Sequence, residues 1–525
     1  MADRAPNVLF VITDQQRADH VGFMGNDVVR TPAFDGLAAR STVFESAWVS
    51  NPVCMPNRST IMTGRMPTAH GVIFNDRSLD WNANTFVRRL RSAGYRTGLL
   101  GKSHLQHGMS RNSVVVIDQE PVVRSPYPDG WDQIEEFERY LDQPGELDDP
   151  DDFYGFDHIE LAIDHGARLT GHHLRWALER GGKLDELLVP YSGDSPAIDR
   201  SERWWQIYRP PYGPELHSTT FVTERTIAFI DDAVEQDSPW FAYASFPDPH
   251  HPMAGPGEWY DRHDAADMEL PASIDDPMEQ GLGHLRAIQK LGPEDQRAWV
   301  QAFGAGDHEL VKEAIAGTYG VLEMIDDGVG QILAAIEGHG QTDNTIVVFT
   351  SDHGDMMGDH GLMMKGFMPY RGTQQVPLAI SAPGKNPGRS SSLASSIDLG
   401  PTILDLCGLA EFDGMQGQSL APILDDSSAT VREQVLVEDD CPPRLADFRR
   451  LPEKSRTVVT PDFRFTRNSR GEELLFDTTA DPDELTNLSP VDSPRRAEAL
   501  EAMMEAMLAA DDLARGAPLT DGQRA

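Results

Sequence analysis

The sequence holds only three cysteines in 525 residues, Cys54, Cys407 and Cys441. They are too few and too scattered to build a disulfide framework or a zinc knuckle. Basic residues are also scarce: 45 Lys and Arg stand against 84 Asp and Glu, a formal net charge of −39. A surface so acidic repels nucleic acid and anionic membranes, and neither is expected as a partner. No apolar run approaches the roughly 18 residues that a membrane helix needs. The short run Val8–Ile12 leads straight into Thr13-Asp14-Gln15-Gln16. It has neither the longer apolar stretch nor the small-residue cleavage site of a secretory signal. A cytoplasmic location is expected.

What the chain does have is ample core. Hydrophobic residues make up 39% and charged residues 25%, a soluble globular composition. At roughly 150 residues per domain, two to three units are possible. Short β-branched or aromatic runs recur and end abruptly in polar residues. Val8–Ile12 stops at Asp14. Thr97–Leu100 stops at Gly101-Lys102-Ser103-His104. Trp240–Phe246 stops at Pro247-Asp248-Pro249-His250, and Thr345–Thr350 at Ser351-Asp352-His353-Gly354.

Continuous apolar runs suit strands buried on both faces. Helical patterns lie between them: Thr85–Ala93 closing at Gly94, Thr219–Ala233, and Leu310–Glu337. The alternation predicts an α/β sandwich, a large and mostly parallel sheet between helices, over residues 1–404. Ligands of such sheets bind outside the carboxyl ends of the strands. That rule gathers Asp14, Lys102, His104, His250, Asp352 and His353 at one edge.

From about residue 405 the texture changes. Val435–Val437, Ser455–Val459, Phe463–Thr466 and Leu474–Phe476 read as short strands. Pro482–Leu488 reads as a loop and Ala497–Ala510 as an amphipathic helix. Residues 405–525 are therefore expected to form a smaller α+β subdomain with a four-stranded antiparallel sheet, and the tail after Asp511 to fray. Segments 105–218 and 252–308 read as long and irregular, of the kind that lines or covers a site. Their Trp131, Trp176, Trp204, Trp205 and Trp259 suit either a cationic or aromatic leaving group or a solvated rim.

The most informative stretch is Asn51-Pro52-Val53-Cys54-Met55-Pro56-Asn57-Arg58. Pro56 fits the first turn of a helix running to about Gly64. Cys54 then sits at the positive end of that helix, with Arg58 one turn on, a place that favours an anion. A small buried residue at a loop-to-helix junction is the plainer reading. The physics makes Cys54 a candidate nucleophile at an anion site.

Cys54-Met55-Pro56-Asn57-Arg58, followed by Thr63-Gly64-Arg65, resembles the Cys-x-Pro-x-Arg signature of type I sulfatases in the alkaline phosphatase superfamily. Other segments resemble that family in order: Asn7–Gln15, Gly101-Lys102-Ser103-His104, Pro249-His250-His251-Pro252, Thr350-Ser351-Asp352-His353-Gly354, Lys365, and Glu473–Leu488. The resemblance implies an alkaline-phosphatase-like fold and hydrolysis of an aryl or alkyl sulfate monoester. It implies that Cys54 is oxidised to formylglycine by a formylglycine-generating enzyme, the hydrate supplying the attacking oxygen. By the same resemblance Asp14, Gln15, Asp352, His353 and the Cys54-derived oxygen hold one divalent cation. Gln15 stands where many members have a second aspartate and His353 where they have an asparagine. This lowers the ligand charge and adds an imidazole nitrogen, so Mn2+ joins Ca2+ as a candidate, with Ca2+ ranked first. Arg58, Lys102 and Lys365 would neutralise the sulfuryl oxygens. His104 would act as the base that collapses the hemiacetal, and His250 as the acid on the leaving oxygen. Asn75 and Arg371 are weaker candidates for substrate contact; His251, Asp359 and His360 receive no role.

Three alternatives stand beside this reading. A phosphonate monoester or phosphodiester hydrolase fits Gln15 and His353 but not Lys102 and His104. A two-metal phosphatase would need Ser or Thr in place of Cys54 and a further set of metal ligands. A non-catalytic binding protein would have lost the nucleophile or a metal carboxylate. The alcohol portion of the substrate and self-association into a homo-oligomer are left open.

Overall fold

The computed structural model describes residues 5–107, 127, 130–142, 149–188, 198–295 and 302–510. The tail expected to fray lies outside the described residues, as do parts of both long segments. The centre of the molecule is a nine-stranded sheet. Its strands are β1 (Asn7–Thr13), β2 (Thr42–Trp48), β3 (Arg96–Gly101), β4 (His158–His165), β5 (Arg168–Gly171), β6 (Trp240–Ser245), β7 (Thr345–Ser351), β8 (Leu378–Ser381) and β9 (Gly388–Ser395), in spatial order β9-β2-β8-β7-β1-β6-β3-β4-β5. The run β7, β1, β6, β3, β4 is parallel throughout. Pairings of β8 with β7 and β2, and of β5 with β4, are antiparallel. The sheet is mixed and mostly parallel.

Both of its faces are covered, which is why the strands read as unbroken apolar runs. The helix that carries the signature, α1 (Cys54–Thr63), follows β2. Side chains alternate across β1. Leu9 and Val11 enter a core with Phe221 and Ile230 of α3 (Ser218–Glu235) and Val321 and Ile325 of α4 (His308–Gly338). Val8, Phe10 and Ile12 face the opposite core with Phe86 and Leu90 of α2 (Phe86–Ser92) and Ile403 and Leu404 of α5 (Leu399–Leu406). α4 starts where Asp307 accepts from the backbone N–H groups of Glu309 and Leu310, satisfying donors that a helix start leaves open.

Leu420, Ile423 and Leu424 still pack into the α2–α5 core. The second sheet begins beyond them: β10 (Val435–Asp440), β11 (Lys454–Val459), β12 (Phe463–Asn468) and β13 (Glu473–Asp477) form a four-stranded antiparallel meander. α6 (Pro494–Ala509) covers it through Ala499, Met503 and Ala506 against Leu436, Val458 and Phe465. This sheet also reaches the main body near the predicted site. Glu438 N donates to Ser50 O at 2.8 Å, and Phe367 N donates to Asp439 Oδ2 at 2.8 Å.

One difference from the sequence reading matters for the site. The segment 105–218, read as irregular, contains β4 and its hairpin partner β5. β4 pairs in parallel with β3, Gly101 opposite Leu161, and runs on to His165. Its carboxyl end therefore joins the same edge as the ends of β1, β3, β6 and β7. Among the described residues, no helix is long and apolar enough to cross a membrane.

Candidate active site

Cys54 is the first residue of α1, a helix buried along its whole length. Pro56 lies in the first turn, and Gly64 ends the helix with φ 63°. The left-handed conformation there suits glycine. Asn75 Oδ1 accepts from Met55 N at 3.0 Å, so Asn75 steadies the helix start beside the thiol. Asn57 Nδ2 donates to the Asp352 carbonyl at 2.6 Å, tying α1 to the end of β7.

The strand ends then converge on the Cys54 sulfur. Lys365 Nζ lies 3.0 Å from Sγ, His353 Nε2 3.1 Å and Asp14 Oδ1 3.8 Å. The His104 side chain also reaches the sulfur. Behind it, Arg58 Nε donates to Asp352 Oδ2 at 2.7 Å, Arg58 Nη2 to Asp14 Oδ2 at 3.2 Å, and Nη1 to Ser245 Oγ at 2.9 Å. Lys102 Nζ sits 2.6 Å from Asp14 Oδ2. Three cations surround two carboxylates and a thiol, almost entirely out of solvent.

Burial alone would push the Cys54 thiol up; Lys365, His353 and Lys102 outweigh it and hold the group well below its ordinary value. Asp14 is likewise held well down: burial and Cys54 oppose ionisation, but Lys102, His250 and Lys365 prevail. Asp352 is raised, because burial and Asp14 outweigh Arg58. Two neighbouring buried acids divide their ionisation in this way. His104 is pushed down to about 3 by burial and by Lys102, which leaves it neutral and able to accept a proton.

The donors fit a divalent cation. Asp14, Cys54, Asp352 and His353 each offer a ligand atom within 4.8 Å of the others. His353 Nδ1 faces the Gly354 carbonyl at 2.9 Å. A carbonyl only accepts, so Nδ1 carries a proton. Burial lowers this histidine's pKa, but Asp352 and Cys54 outweigh it and raise the group; with a cation bound, Nε2 would turn its lone pair to it. Gln15 Oε1 is buried with no hydrogen-bond partner among the described residues, while its Nε2 donates to Asp355. A buried amide oxygen left unpaired is costly, and a cation beside it removes that cost.

Asn75 stays at the helix start. Arg371 is not brought to the cluster: its contacts are to Gln375 and the Glu484 loop. His250 is at the edge, with Nδ1 donating to the His251 carbonyl at 2.6 Å. His251 stacks on it with centroids 3.9 Å apart. Asp359 pairs with Arg17 and His360 with Asp276. Trp204 is 1% exposed and packs on Phe303, a core position rather than a rim.

Sequence reasoning missed three participants. Buried Glu135 accepts from the backbone of His104, Leu105 and Gln106 at 2.7, 3.1 and 2.9 Å, and so shapes the loop after β3. Asp355 holds Gln15 and accepts from Met357 N and Met364 N, next to Lys365. His165, at the end of β4, stacks on His250 with centroids 3.7 Å apart. Asp355 follows the second metal segment directly and was the most findable. Glu135 and His165 lie in the segment read as irregular.

The comparisons with known proteins agree with this geometry. The family model "Sulfatase" matches residues 6–409, and one for the C-terminal part of N-sulphoglucosamine sulphohydrolase matches 358–512. An arylsulfatase of Clostridium perfringens is 28% identical over 501 residues, covering 92% of this chain and 90% of its own. A choline-sulfatase of Rhizobium meliloti is 26% identical over 500 residues, covering 94% and 84%. The solved phosphonate monoester hydrolase of Agrobacterium radiobacter superposes with a TM-score of 0.77 at 25% identity, covering 99% of each chain. With the family model spanning most of the sequence, the chain belongs to the sulfatase family of the alkaline phosphatase superfamily, and its activity class is sulfuric ester hydrolysis.

Proposed function

We propose that the protein splits a small-molecule sulfate monoester into an alcohol and inorganic sulfate, with Cys54 matured to formylglycine by a generating enzyme. One observation carries the reading: the Cys54 side chain ends between Lys365 at 3.0 Å and His353 at 3.1 Å, in front of the buried Arg58–Asp14–Asp352 group. A hydrate at this position would place one hydroxyl to attack sulfur and keep a second for later collapse. Lys102, Lys365 and Arg58 put fixed positive charge where the sulfuryl oxygens gain negative charge. His104, neutral and in reach of residue 54, takes the proton when the C–O bond breaks and sulfate departs.

His250 gives Nδ1 to the His251 carbonyl, which leaves Nε2 for the leaving group. Burial, with His165 and His251 beside it, holds this histidine well below its ordinary pKa. The negative charge of the bound ester and of the developing alkoxide favours its protonated form, from which it protonates the leaving oxygen. Asp14, Gln15, Asp352 and His353 would hold the cation, Ca2+ ahead of Mn2+. When bound, it adds Lewis-acid charge that favours a deprotonated nucleophile.

A second reading has its own support. Gln15 and His353 in the metal set, with the phosphonate monoester hydrolase neighbour, favour phosphonate monoester or phosphodiester cleavage. Lys102 at 2.6 Å from Asp14 and His104 at Cys54 favour sulfate. Steady-state kinetics on 4-nitrophenyl sulfate, a phenylphosphonate monoester and a phosphodiester decide between them. The first reading expects the sulfate to be turned over fastest, with Cys54→Ala abolishing it while fold and cation binding persist. Intact-mass measurement of protein from its native host is expected to show the thiol replaced by an aldehyde. Phosphonate turnover far above sulfate turnover would establish the second reading instead.

A further inference from the structure

β4 ends at the same sheet edge as the strands that carry Asp14, Lys102, His250 and Asp352, and its last residue is His165. The ring is built into the site. It lies face to face on His250, centroids 3.7 Å apart and planes 26° apart. It also meets the edge of His104 at 5.7 Å. One ring nitrogen falls within 4.8 Å of ligand atoms of Asp14, Cys54 and His250. Asp164, just before it, adopts φ 85°, a conformation that costs a non-glycine residue energy and is kept where the surroundings enforce it.

The two nitrogens of His165 are in different situations. Nδ1 sits 2.9 Å from Asp164 Oδ1. A carboxylate only accepts, so Nδ1 carries a proton, and in that tautomer Nε2 presents a lone pair. Nε2 is buried and has no hydrogen-bond partner among the described residues. An acceptor is therefore oriented, dry and unsatisfied, one ring-stack away from the histidine proposed to face the leaving oxygen. The same four ligand atoms could be read as a second cation site. Asp14 and Cys54 already belong to the set with Asp352 and His353, which leaves only two further donors, His165 and His250, for another ion.

We propose that His165, oriented by Asp164, sets substrate specificity: Nε2 accepts a hydrogen bond from a hydroxyl or amine on the carbon adjacent to the esterified one. The substrate class is then a monoester of a polyol or amino alcohol rather than of a simple alcohol or phenol. This rests on the ester hydrolysis proposed above, but not on sulfur being the atom attacked. A site with a buried acceptor rejects the analogue that lacks the donor, because that acceptor stays unpaired.

The test compares 2-hydroxycyclohexyl sulfate with cyclohexyl sulfate, and the phenylphosphonate monoesters of the same two alcohols. Each is measured as substrate for kcat/KM and as competitor for Ki. The wild type is expected to favour the hydroxyl-bearing member about tenfold or more in whichever series it turns over, the worth of one buried hydrogen bond. His165→Phe keeps an aromatic ring against His250 and is expected to bring that ratio close to one. His165→Asn, whose amide oxygen can accept, is expected to restore part of it. A merely structural histidine would lower both members equally and leave the ratio unchanged. Equal handling of the two alcohols by the wild type would overturn the proposal. So would a second bound metal ion that disappears in His165→Phe. Turnover confined to the phosphonates, with the hydroxyl preference intact, would overturn the sulfate reading and leave this one standing.

Discussion

Arg58 Nε lies 2.7 Å from Asp352 Oδ2, with both side chains fully shut off from solvent. The pair joins the nucleophile's helix to the end of β7. The same guanidinium also reaches Asp14, Ser245 and the Lys102 carbonyl. Removing it takes the cationic partner from buried Asp352, while Asp14 keeps Lys102, a change that costs about 3–5 kcal/mol. Arg58→Ala should lose that much in urea unfolding measured in chelator, and less when Ca2+ or Mn2+ is supplied. Arg58→Lys should recover little, since one ammonium cannot span the guanidinium's fork of partners. A loss under about 1 kcal/mol in chelator would show that the carboxylates do not depend on Arg58.

Gly101 closes β3 immediately before Lys102. It has φ 110°, and a Cβ placed on it would lie 1.9 Å from the Ser245 carbonyl oxygen. Backbone cannot yield as a side chain can. Gly101→Ala should cost about 3 kcal/mol or more, and turnover should fall with it as Lys102 and His104 are displaced. Thermal unfolding together with kcat checks both; a stable variant of normal activity would refute the argument.

These contacts show how much of the site the sequence displays. Four of the strand ends are legible because each apolar run is continuous and stops at a residue with chemistry: Asp14, Lys102, His250 and Asp352. The start of α1 is legible because Pro56 and Gly64 punctuate it. His165 is not, because His158-Ile159-Glu160-Leu161-Ala162-Ile163-Asp164-His165 alternates in polarity and sits between long loops. Only its pairing with β3 brings its end to the site. Glu135 is hidden for the same reason: its partners are backbone N–H groups about thirty residues back, and nothing local marks the pairing. The order of β9, β2 and β8 is likewise set by contacts between distant segments.

Asp439 gives a pH dependence. It is buried in β10 and holds Phe367 N, two residues beyond Lys365. Burial pushes its carboxyl up to about 7, with Asp440 adding to the rise and the Phe367 bond and Arg456 opposing it. Unfolded, it ionises near the ordinary 3.8. Between those values the folded state holds a proton that the unfolded state has lost, so stability falls as pH rises through this window and levels above about 7. Asp439→Asn keeps an oxygen for Phe367 N and has no charge to bury. Its melting temperature should exceed the wild type's at pH 8 and by less at pH 5. An equal advantage at the two pH values would mean the carboxyl is already ionised in the folded state at pH 5.

The last prediction concerns what aims Gln15. Its Nε2 donates to Asp355 Oδ2, and this bond fixes the amide with Oε1 buried and unpartnered among the described residues, open to a cation. Asp355→Asn would place an amide N–H2 against the Gln15 N–H2, so that one of the two must rotate away. Partners that orient a ligand in this way are worth about 10–100-fold in metal affinity, and cation binding by calorimetry should weaken by that factor. Adding Gln15→Glu to that variant restores the match, since the new carboxylate accepts from the introduced amide with one oxygen and offers the other to the cation. The double variant should therefore bind the cation more tightly than Asp355→Asn alone. If both variants bind equally weakly, Asp355 acts only through the Met357 and Met364 backbone, and the aiming of Gln15 has another origin.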